Sequence, residues 1–599
     1  MKWDGYQFVL EHMANLAGTA PACLPQMEIA GKDLEVSWDG TACSIRASDL
    51  NALCRGIFLF LKHQHLSEYH ILESRHFKWC GAMVDVSRCA VLKKEAVFRL
   101  LDRLAALGMN EFMLYTEDLY TLEDYPYFGY MRGRYTDADL REMDAYAQRL
   151  GIEMVPCIQT LAHLGAFLQW NESIPLRDQP TILLTDDEAA LDLIRAEIRA
   201  MRENFSSRRI HIGMDEAASV GLGRYYLLNG PTDRFDLLSR HLERVVAICG
   251  EYGFEPMMWS DMFFRLGSKT QDYYDLDAEI PSRAIEALPE VELCYWDYEH
   301  TDRAHFARMI DRHVAMHRKT CFAGGIHTWH GFLPNVRMTD ASMLPAMEAC
   351  LEKGMDHVLA TIWGDDGNET DVFLALSRLT IFSESCWMGE KATEEERARK
   401  GAWVSGLSPA ASDAMGELFA GPIDRRTGKG LIYCDPLYPF LEYPEDTPEK
   451  LAKRAEDALR VLEHERECAE IRYARSVFRL VMAKQAYMEK IRSAYMQGAR
   501  AEIQEDLPSL YAALDRAIEE QIETHRTLWE RDFKRNGWEL LAMRYGAVRE
   551  RARDVFREAM QWGSGERARM EELDEAPLPA ARKGGMQFFQ TYTVPSHYL

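Results

Sequence analysis

The sequence predicts an α/β protein whose central domain is a (β/α)8 barrel. Between residues 76 and 400, eight short apolar segments alternate with amphipathic helical segments, a pattern typical of parallel strands joined by helical crossovers. Eight such units over roughly 310 residues favour a closed barrel. A doubly wound open sheet is the alternative, but the sequence lacks the G-x-G-x-x-G turn that opens many such sheets.

Two further domains flank the predicted barrel. Residues 1–75 have helical spacing at 6–16 and 49–64, with two strand-like runs within 34–45, which predicts a small α+β domain. Residues 401–599 begin with a Gly- and Pro-rich connector and continue as an all-helical domain. Its long amphipathic segments lie at 451–467, 471–492 and 510–531. They predict a bundle that packs on the barrel or on a second copy of the chain, so a homodimer is one expectation. The aromatic segment 587–599 is expected to dock on another surface.

The eight predicted barrel strands are 81–84, 111–115, 153–158, 209–212, 256–259, 292–296, 320–323 and 357–362. Helical segments between them include 95–107, 137–150, 188–201 and 236–252.

Composition restricts the class of function. The chain has 599 residues, of which 47% are hydrophobic and 28% charged, and a net charge of −25, which argues against nucleic acid or an anionic membrane as a partner. No apolar run reaches the roughly 18 residues of a membrane span, and the first residues do not resemble a secretory signal. The 13 cysteines are dispersed without a C-x-x-C pair, which predicts reduced thiols in the cytoplasm and no metal site. No cofactor motif is present.

In a barrel, functional side chains follow the carboxyl ends of the strands. The polar and aromatic residues that do so here, taken strand by strand, are Asp85 and Arg88; Glu117 and Asp118; His163; Asp215 and Glu216; Trp259 and Asp261; Trp296, Asp297 and Tyr298; His327, Trp329 and His330; and Trp363, Asp365, Asp366 and Glu369. Tryptophan recurs at or after four successive strands. Aromatic walls with carboxylate acceptors suit a sugar.

The adjacent pair Asp215 and Glu216 limits the chemistry further. Two carboxylates at one strand end are too close to flank a glycosidic bond in the usual way. They suit a substrate whose own 2-acetamido oxygen is the nucleophile. Glu216 would then be the acid/base, and Asp215 would orient the acetamido group.

Several segments resemble glycoside hydrolase family 20, the β-N-acetylhexosaminidases. Residues 210–217, HIGMDEAA, look like the family's H-x-G-x-D-E signature, and 81–88, GAMVDVSR, are similar to its G-x-M-x-D-x-x-R. The segment 156–163, PCIQTLAH, keeps the Pro and His of the family's third-strand motif. The resemblance covers about residues 76–390. The helical C-terminal region and the absence of a signal are most similar to the family's intracellular branch.

The resemblance implies an exo-acting, retaining enzyme that releases terminal β-linked N-acetylhexosamine through an oxazolinium ion. Glu216 would be the acid/base, a role that calls for a raised pKa, and Asp215 would hold the acetamido group. His163 would support both acids. Trp259, Trp296 and Trp363 would enclose the sugar.

The sequence departs from the family pattern at three positions. Cys80 stands where the family has an Arg that binds sugar hydroxyls, so Glu117, Asp118 or Arg134 is expected to replace it. Tyr298 is the expected substitute for a Tyr after the seventh strand, and Asp365 replaces a Glu after the eighth. Arg88, with Asp85, fits substrate binding and an ion pair at the barrel mouth equally well.

Two other functions stay open at this stage. A metal-dependent barrel hydrolase would use His163, His211, Asp215 and His327. A non-catalytic sugar-binding or scaffold protein would use the helical region as its interaction surface.

Overall fold

The computed structural model describes residues 4–365, 367–419, 427–437 and 448–574. The N-terminal part contains the helices Asp4–Ala17 and Leu50–His63 and the strands β1 (Gln26–Ile29), β2 (Asp33–Trp38), β3 (Cys43–Ala47) and β4 (Tyr69–Ser74). These strands form one sheet in the order β1-β3-β2-β4. Both predicted helices and the two strands around Asp39 are confirmed. The short edge strand β1 and strand β4 were not anticipated.

The next region is the predicted barrel. Its strands are β5 (Trp79–Asp85), β6 (Glu111–Tyr115), β7 (Glu153–Met154), β10 (Arg209–His211), β11 (Glu255–Trp259), β12 (Glu292–Asp297), β13 (Thr320–Gly325) and β14 (His357–Ile362). A hairpin, β8 (Arg177–Gln179) and β9 (Ile182–Leu183), lies in the loop after β7. The eight barrel strands are parallel and β14 pairs with β5. All eight predicted strands are therefore present.

The third barrel strand is shorter than the prediction of 153–158. Only two of its residues belong to a continuous ladder, because Pro156 has no N–H to donate. Cys157 then bridges Tyr115 on one side and His211 on the other. The His211 amide donates to Pro156 O at 2.9 Å, and the Ile158 amide donates to His211 O at 2.9 Å. These contacts join β7 to β10 and close the sheet.

Side chains fill the barrel. The interior cluster consists of Met83, Met113, Tyr115, Val155, Cys157, Met257, Trp259, Cys294, Cys321, Ala323 and Leu359. The longer helices around it are Lys94–Leu107, Asp137–Arg149, Glu188–Asn204, Arg234–Glu251, Arg303–Val314, Val336–Glu352 and Thr380–Met388. Shorter ones are Gly165–Leu168, Arg224–Asn229, Asp261–Gly267 and Ser282–Glu286. Because the interior is packed, a substrate can enter only at the mouth.

The C-terminal region is helical. Its helices are Glu394–Ser405, Pro409–Met415, Thr427–Tyr433, Pro448–Glu463, Ala469–Gln497, Arg500–Asp532, Trp538–Ser564 and Glu571–Asp574. The three predicted long helices are confirmed, although the third begins ten residues earlier than residue 510 and continues through Pro508. The predicted docking of 587–599 lies outside the described residues. Within the described ranges, no helix is long and apolar enough to cross a membrane.

The helical region packs on the barrel near the loop that follows β5. The Lys93 amide donates to Asp532 O at 2.8 Å, and the Lys534 amide donates to Val91 O at 2.7 Å. Trp538, Arg544 and Tyr545 are buried in this region. The bundle therefore contacts the same end of the barrel that carries the site described next.

Candidate active site

The two adjacent acids follow β10 through a turn at Gly213. Gly213 has a φ of 70°, and a Cβ there would lie 2.1 Å from Gln159 Oε1, so the position requires glycine. The two side chains then diverge. Asp215 is buried, whereas the Glu216 side chain is 41% exposed at the mouth. One acid is therefore enclosed and the other faces the solvent-accessible cavity.

Gln159 fixes the position of Asp215. Its Nε2 donates to Asp215 Oδ1 at 2.7 Å and to the Tyr115 hydroxyl at 2.8 Å, and its Oε1 accepts from the Met214 amide at 3.1 Å. The Glu216 amide donates to Asp261 Oδ2 at 3.0 Å. Both acids are thus held by hydrogen bonds from neighbouring strand ends. The predicted site did not include Gln159, although it lies within the quoted segment 156–163.

His163 lies between the two acids. Its Nε2 is 3.3 Å from Asp215 Oδ2 and 3.4 Å from Glu216 Oε2, and its Nδ1 is 4.0 Å from Glu117 Oε1. Burial lowers the pKa of His163, but the charges and hydrogen bonds of Asp215 and Glu216 outweigh burial and raise this pKa well above its usual value. His163 is therefore an imidazolium cation at neutral pH.

This cation determines the ionisation of the acids. Burial raises the pKa of Asp215 and of Glu216, but in each case contact with His163 outweighs burial and the pKa falls below its usual value. A hydrogen bond with Tyr273 lowers the pKa of Glu216 further. The expected raised pKa of Glu216 is therefore wrong, because the predicted neighbour His163 stands against it as a cation and not as a neutral imidazole. The pKa of Asp261, in contrast, is raised, because its side chain is buried and the negative charge of Asp215 disfavours a second ionised carboxylate.

A pH-dependent contribution to stability follows from His163. Because its pKa is raised on folding, its stabilising contacts are fully present below the unfolded value of about 6.5 and are lost as pH rises through the folded value. The two acids stay ionised over that window, since their pKa values are lowered. We expect His163→Gln to cost about 1–3 kcal/mol at pH 6, a range typical of hydrogen bonds to charged groups. The melting-temperature gap between wild type and variant should then narrow steadily towards pH 10. A gap that stays constant over this range would contradict the assignment.

Aromatic side chains form the walls above the acids. Trp296 stacks on Tyr298 with ring centroids 5.2 Å apart, and Tyr298 also meets Trp329 at 5.4 Å and Trp363 at 6.5 Å. A cavity of about 650 Å³ opens between them, and its lining includes Glu216, Tyr273, Trp296, Tyr298, Trp329 and Asp365. The volume is in the range of small-molecule sites.

Trp259 is placed differently from the expectation. Its side chain is 1% exposed and belongs to the barrel interior. Its ring centroid lies 4.3 Å from that of His211 and 6.1 Å from that of Trp363. It shares a strand face with Met257, which also points inward. Trp259 therefore supports a wall of the cavity and is not itself on the surface that a sugar would touch.

Arg88 links three acids at the mouth. Its guanidinium lies 3.4 Å from Asp85 Oδ2, 3.4 Å from Glu117 Oε1 and 3.6 Å from Asp365 Oδ1. Asp85 in turn accepts from the Gly364 amide at 3.1 Å. The first, second and eighth barrel strands are thus connected through one cation, whose neighbour Asp365 lines the cavity.

Three positions in the predicted hydroxyl site lie elsewhere. Asp118 is buried, and its carboxylate accepts from Arg132 and from the Gly129 amide. Arg134 donates to the carbonyls of Pro126 and Phe128. Cys80 lies buried at the start of β5, where its amide donates to Asn110 Oδ1 at 2.9 Å, far along the strand from the mouth.

The residues of the metal alternative do not converge. His211 accepts from the Gly213 amide within the barrel, and His327 stacks on Trp329 on the far side. Within the described ranges, the one group of His, Cys or acidic side chains close enough to share an ion is Asp297, His300 and His305, none of which belongs to the predicted set. The rings of His300 and His305 are stacked 3.5 Å apart at 11°, so no ion can lie in both ring planes as metal ligation by imidazole requires. Asp366 lies outside the described residues.

The backbone at this mouth is conformationally unusual. Glu117, His163, Met214 and Glu216 have φ values of 48°, 57°, 75° and 54°. Such left-handed conformations are rare for residues other than glycine and cluster at functional sites. Here they belong to three adjacent strand ends, and His163 lies within 4.0 Å of Glu117 and 3.4 Å of Glu216.

Two segments of the chain match known protein families. Residues 77–277 match the catalytic domain of glycosyl hydrolase family 20, and residues 422–591 match the Glycoside Hydrolase 20C C-terminal domain. The chain belongs to glycoside hydrolase family 20. The two matched segments cover the first five strands of the barrel and most of the helical region, and they agree with the resemblance found in the sequence motifs.

Individual relatives are more distant. Hexosaminidase D of Bos taurus is 29% identical over 210 residues, which make up 32% of this chain and 55% of the relative. Hexosaminidase D of Homo sapiens is 26% identical over 208 residues, or 32% of this chain and 39% of the relative. The match thus spans about half or less of each relative's length.

Solved structures support the fold. The Flavobacterium johnsoniae chitobiase superimposes with a TM-score of 0.52 at 13% identity, covering 88% of this family-20 chain and 94% of the other. The Streptomyces plicatus N-acetyl-β-hexosaminidase in complex with Thio-NAglucal gives 0.51 at 16% identity, covering 67% and 90%. At these identities the similarity concerns the fold alone.

Proposed function

We propose that this family-20 protein is an exo-acting, retaining β-N-acetylhexosaminidase that releases terminal β-linked N-acetylglucosamine or N-acetylgalactosamine. The observation that carries the proposal is the unlike environment of the two adjacent acids. Asp215 is enclosed and held by Gln159 and His163, while Glu216 faces the aromatic cavity. One carboxylate can therefore bind an amide of the substrate while the other exchanges protons with it.

In the proposed first step, the acetamido N–H of the sugar donates to Asp215, which polarises the amide. Its carbonyl oxygen attacks the anomeric carbon, the glycosidic bond breaks, and Glu216 transfers its proton to the departing oxygen. The product is a cyclic oxazolinium ion. Asp215 is suited to stabilise this cation because its pKa is lowered and it remains anionic.

In the second step, Glu216, now a carboxylate, takes a proton from a water molecule that attacks the anomeric carbon and reopens the ring. Two inversions leave the configuration retained, as in the substrate-assisted exceptions to the two-carboxylate scheme. Glu216 must be protonated for the first step. Binding of the glycosidic oxygen in place of the His163 and Tyr273 contacts would raise its pKa towards that state.

The proposal is tested with aryl β-glycosides that differ only at C2. We expect 4-nitrophenyl N-acetyl-β-glucosaminide or the corresponding galactosaminide to be hydrolysed at least about 1,000-fold faster, in kcat/KM, than 4-nitrophenyl β-glucoside, since only the acetamido sugars supply the nucleophile. Equal rates on the plain glucoside would contradict substrate assistance. Sugar binding without hydrolysis would favour the non-catalytic alternative.

A further inference from the structure

The loop after β14 carries Asp365, which lines the cavity, and Trp363, whose ring lies beside the cavity residue Tyr298. The ring of Trp363 packs edge-on against that of Tyr115, with centroids 4.8 Å apart, and the Asp365 carboxylate lies 3.6 Å from the Arg88 guanidinium. The Thr328 hydroxyl donates to Trp363 O at 2.6 Å, and the chain then turns back as the Gly367 amide donates to Gly364 O at 3.1 Å. The position of this loop therefore determines where the cavity residue Asp365 lies.

Glu369, at the end of the loop, is buried against the C-terminal helical region. Its carboxylate contacts Lys429 at 2.7 Å and Arg544 at 2.5 Å, and accepts from the Tyr433 hydroxyl at 2.9 Å. The Tyr473 hydroxyl donates to its backbone oxygen at 2.7 Å. A buried carboxylate with three charged or polar contacts is held in one place, because displacing it would leave charges unpaired away from water.

The Lys429 side chain contacts two residues of the loop after β14, Asp365 and Glu369. Its ammonium group lies 2.7 Å from Glu369 Oε2 and donates to the backbone oxygen of Asp365 at 2.6 Å. Its own amide donates to His330 O at 3.0 Å, in the neighbouring loop after β13. Lys429 is 1% exposed. One side chain from the helical region thus fixes both ends of the segment between Asp365 and Glu369.

Arg544 completes the contact from a second helix. A Cβ at Gly367 would lie 2.7 Å from its guanidinium, so the group packs directly on the loop backbone. The loop after β14 is therefore enclosed by elements that are far away in the sequence.

We propose that the C-terminal helical region acts on the active site through Lys429, a positioning residue that sets the place of Asp365 in the cavity. The catalytic part of this inference rests on the proposed function. The structural part, that Lys429 immobilises the loop after β14, does not depend on it.

Lys400 provides a matched control. It is also a buried lysine, on the helix Glu394–Ser405, and its ammonium donates to Glu384 Oε2 at 2.6 Å and to Glu73 Oε1 at 3.2 Å. These contacts join that helix to the helix Thr380–Met388 and to β4, and they do not include the loop after β14. Lys400→Met therefore removes a buried lysine that is paired with acids, at a similar burial, without touching the active site.

The first measurement is hydrogen–deuterium exchange of the full-length protein. Lys429→Met should raise deuterium uptake in the peptide spanning residues 363–371, whereas Lys400→Met should not. Glu369→Gln, which keeps the shape of the side chain, gives the same comparison if the lysine variant does not fold. Unchanged uptake in the loop for the folded variants overturns the inference, whether or not the protein hydrolyses an acetamido sugar.

The second measurement is a double-mutant cycle on an aryl N-acetyl-β-glucosaminide. Lys429→Met should lower kcat/KM by about 10- to 100-fold, the scale of an ångström-level misplacement. In the Asp365→Ala background, Lys429→Met should lower kcat/KM by less than about 3-fold, because the side chain that Lys429 positions is already absent. Additive losses would assign Lys429 a general structural role. Absence of wild-type activity would refute the proposed function and leave the exchange measurement as the deciding one.

Discussion

Replacing Asp215 by asparagine is expected to lower kcat/KM on an aryl N-acetyl-β-glucosaminide by about 1,000-fold, the loss seen when a single transition-state contact is removed. The amide is isosteric but neutral. It can no longer balance the positive charge of the oxazolinium ion, and it leaves the His163 cation with one anionic neighbour fewer at 3.3 Å. Steady-state kinetics on the folded variant give the measurement.

Asp144→Asn is the matched control. This aspartate is also buried, and it accepts hydrogen bonds from Ser206 and Gln148 on the outside of the barrel. We expect the kcat/KM of this variant to stay within about 2-fold of wild type even if its melting temperature falls, since substitutions away from the active site act mainly on stability.

A thiazoline analogue of the oxazolinium ion should inhibit wild type strongly and Asp215→Asn weakly. Undiminished hydrolysis by Asp215→Asn would rule out its proposed role.

The second large effect is expected for Glu216→Gln, and it should depend on the leaving group. A glutamine cannot donate the proton that a poor leaving group needs, so hydrolysis of a disaccharide should fall by about 100- to 10,000-fold. A 2,4-dinitrophenyl glycoside departs without protonation and should lose much less in the bond-breaking step. Each substrate serves as the control for the other on the same variant. A loss of equal size on both substrates would show that Glu216 acts in some other way.

The sequence predicts the strands of the barrel well because each strand is a local apolar run. The bounds of β6 and β14 match the prediction, and β7 differs because Pro156 interrupts the ladder. The positions of the acids at a strand end follow from the same pattern. These features depend on residues that are neighbours in the chain.

Features that depend on the path of the chain after a strand were harder to predict. Glu117 has a φ of 48°, which turns the next residue away from the mouth, so Asp118 is buried against Arg132. Nothing in residue type marks that turn. Tyr273 reaches Glu216 from a loop more than ten residues beyond its strand, and it too carries no local signal. Trp259 was predictable in principle, because strand alternation places it on the face of Met257.

The helical region shows the same limit. Its amphipathic periodicity predicts helices, and three of them are confirmed. Which residues of a helix meet a distant loop is decided by packing, so the contacts of Lys429 and Arg544 with the loop after β14 could not be read from spacing.

The left-handed backbone at the mouth has a consequence for attempts to make the enzyme more robust. Each such non-glycine conformation costs about 1–3 kcal/mol, so substitutions that relax Glu117, His163 or Glu216 will emerge readily from a screen for heat tolerance. Those gains would come at the expense of turnover, because the same conformations aim the reactive groups. His317 has a φ of 57° in an exposed turn before β13, at the end of the barrel away from the mouth, and engineering should begin at positions of that kind.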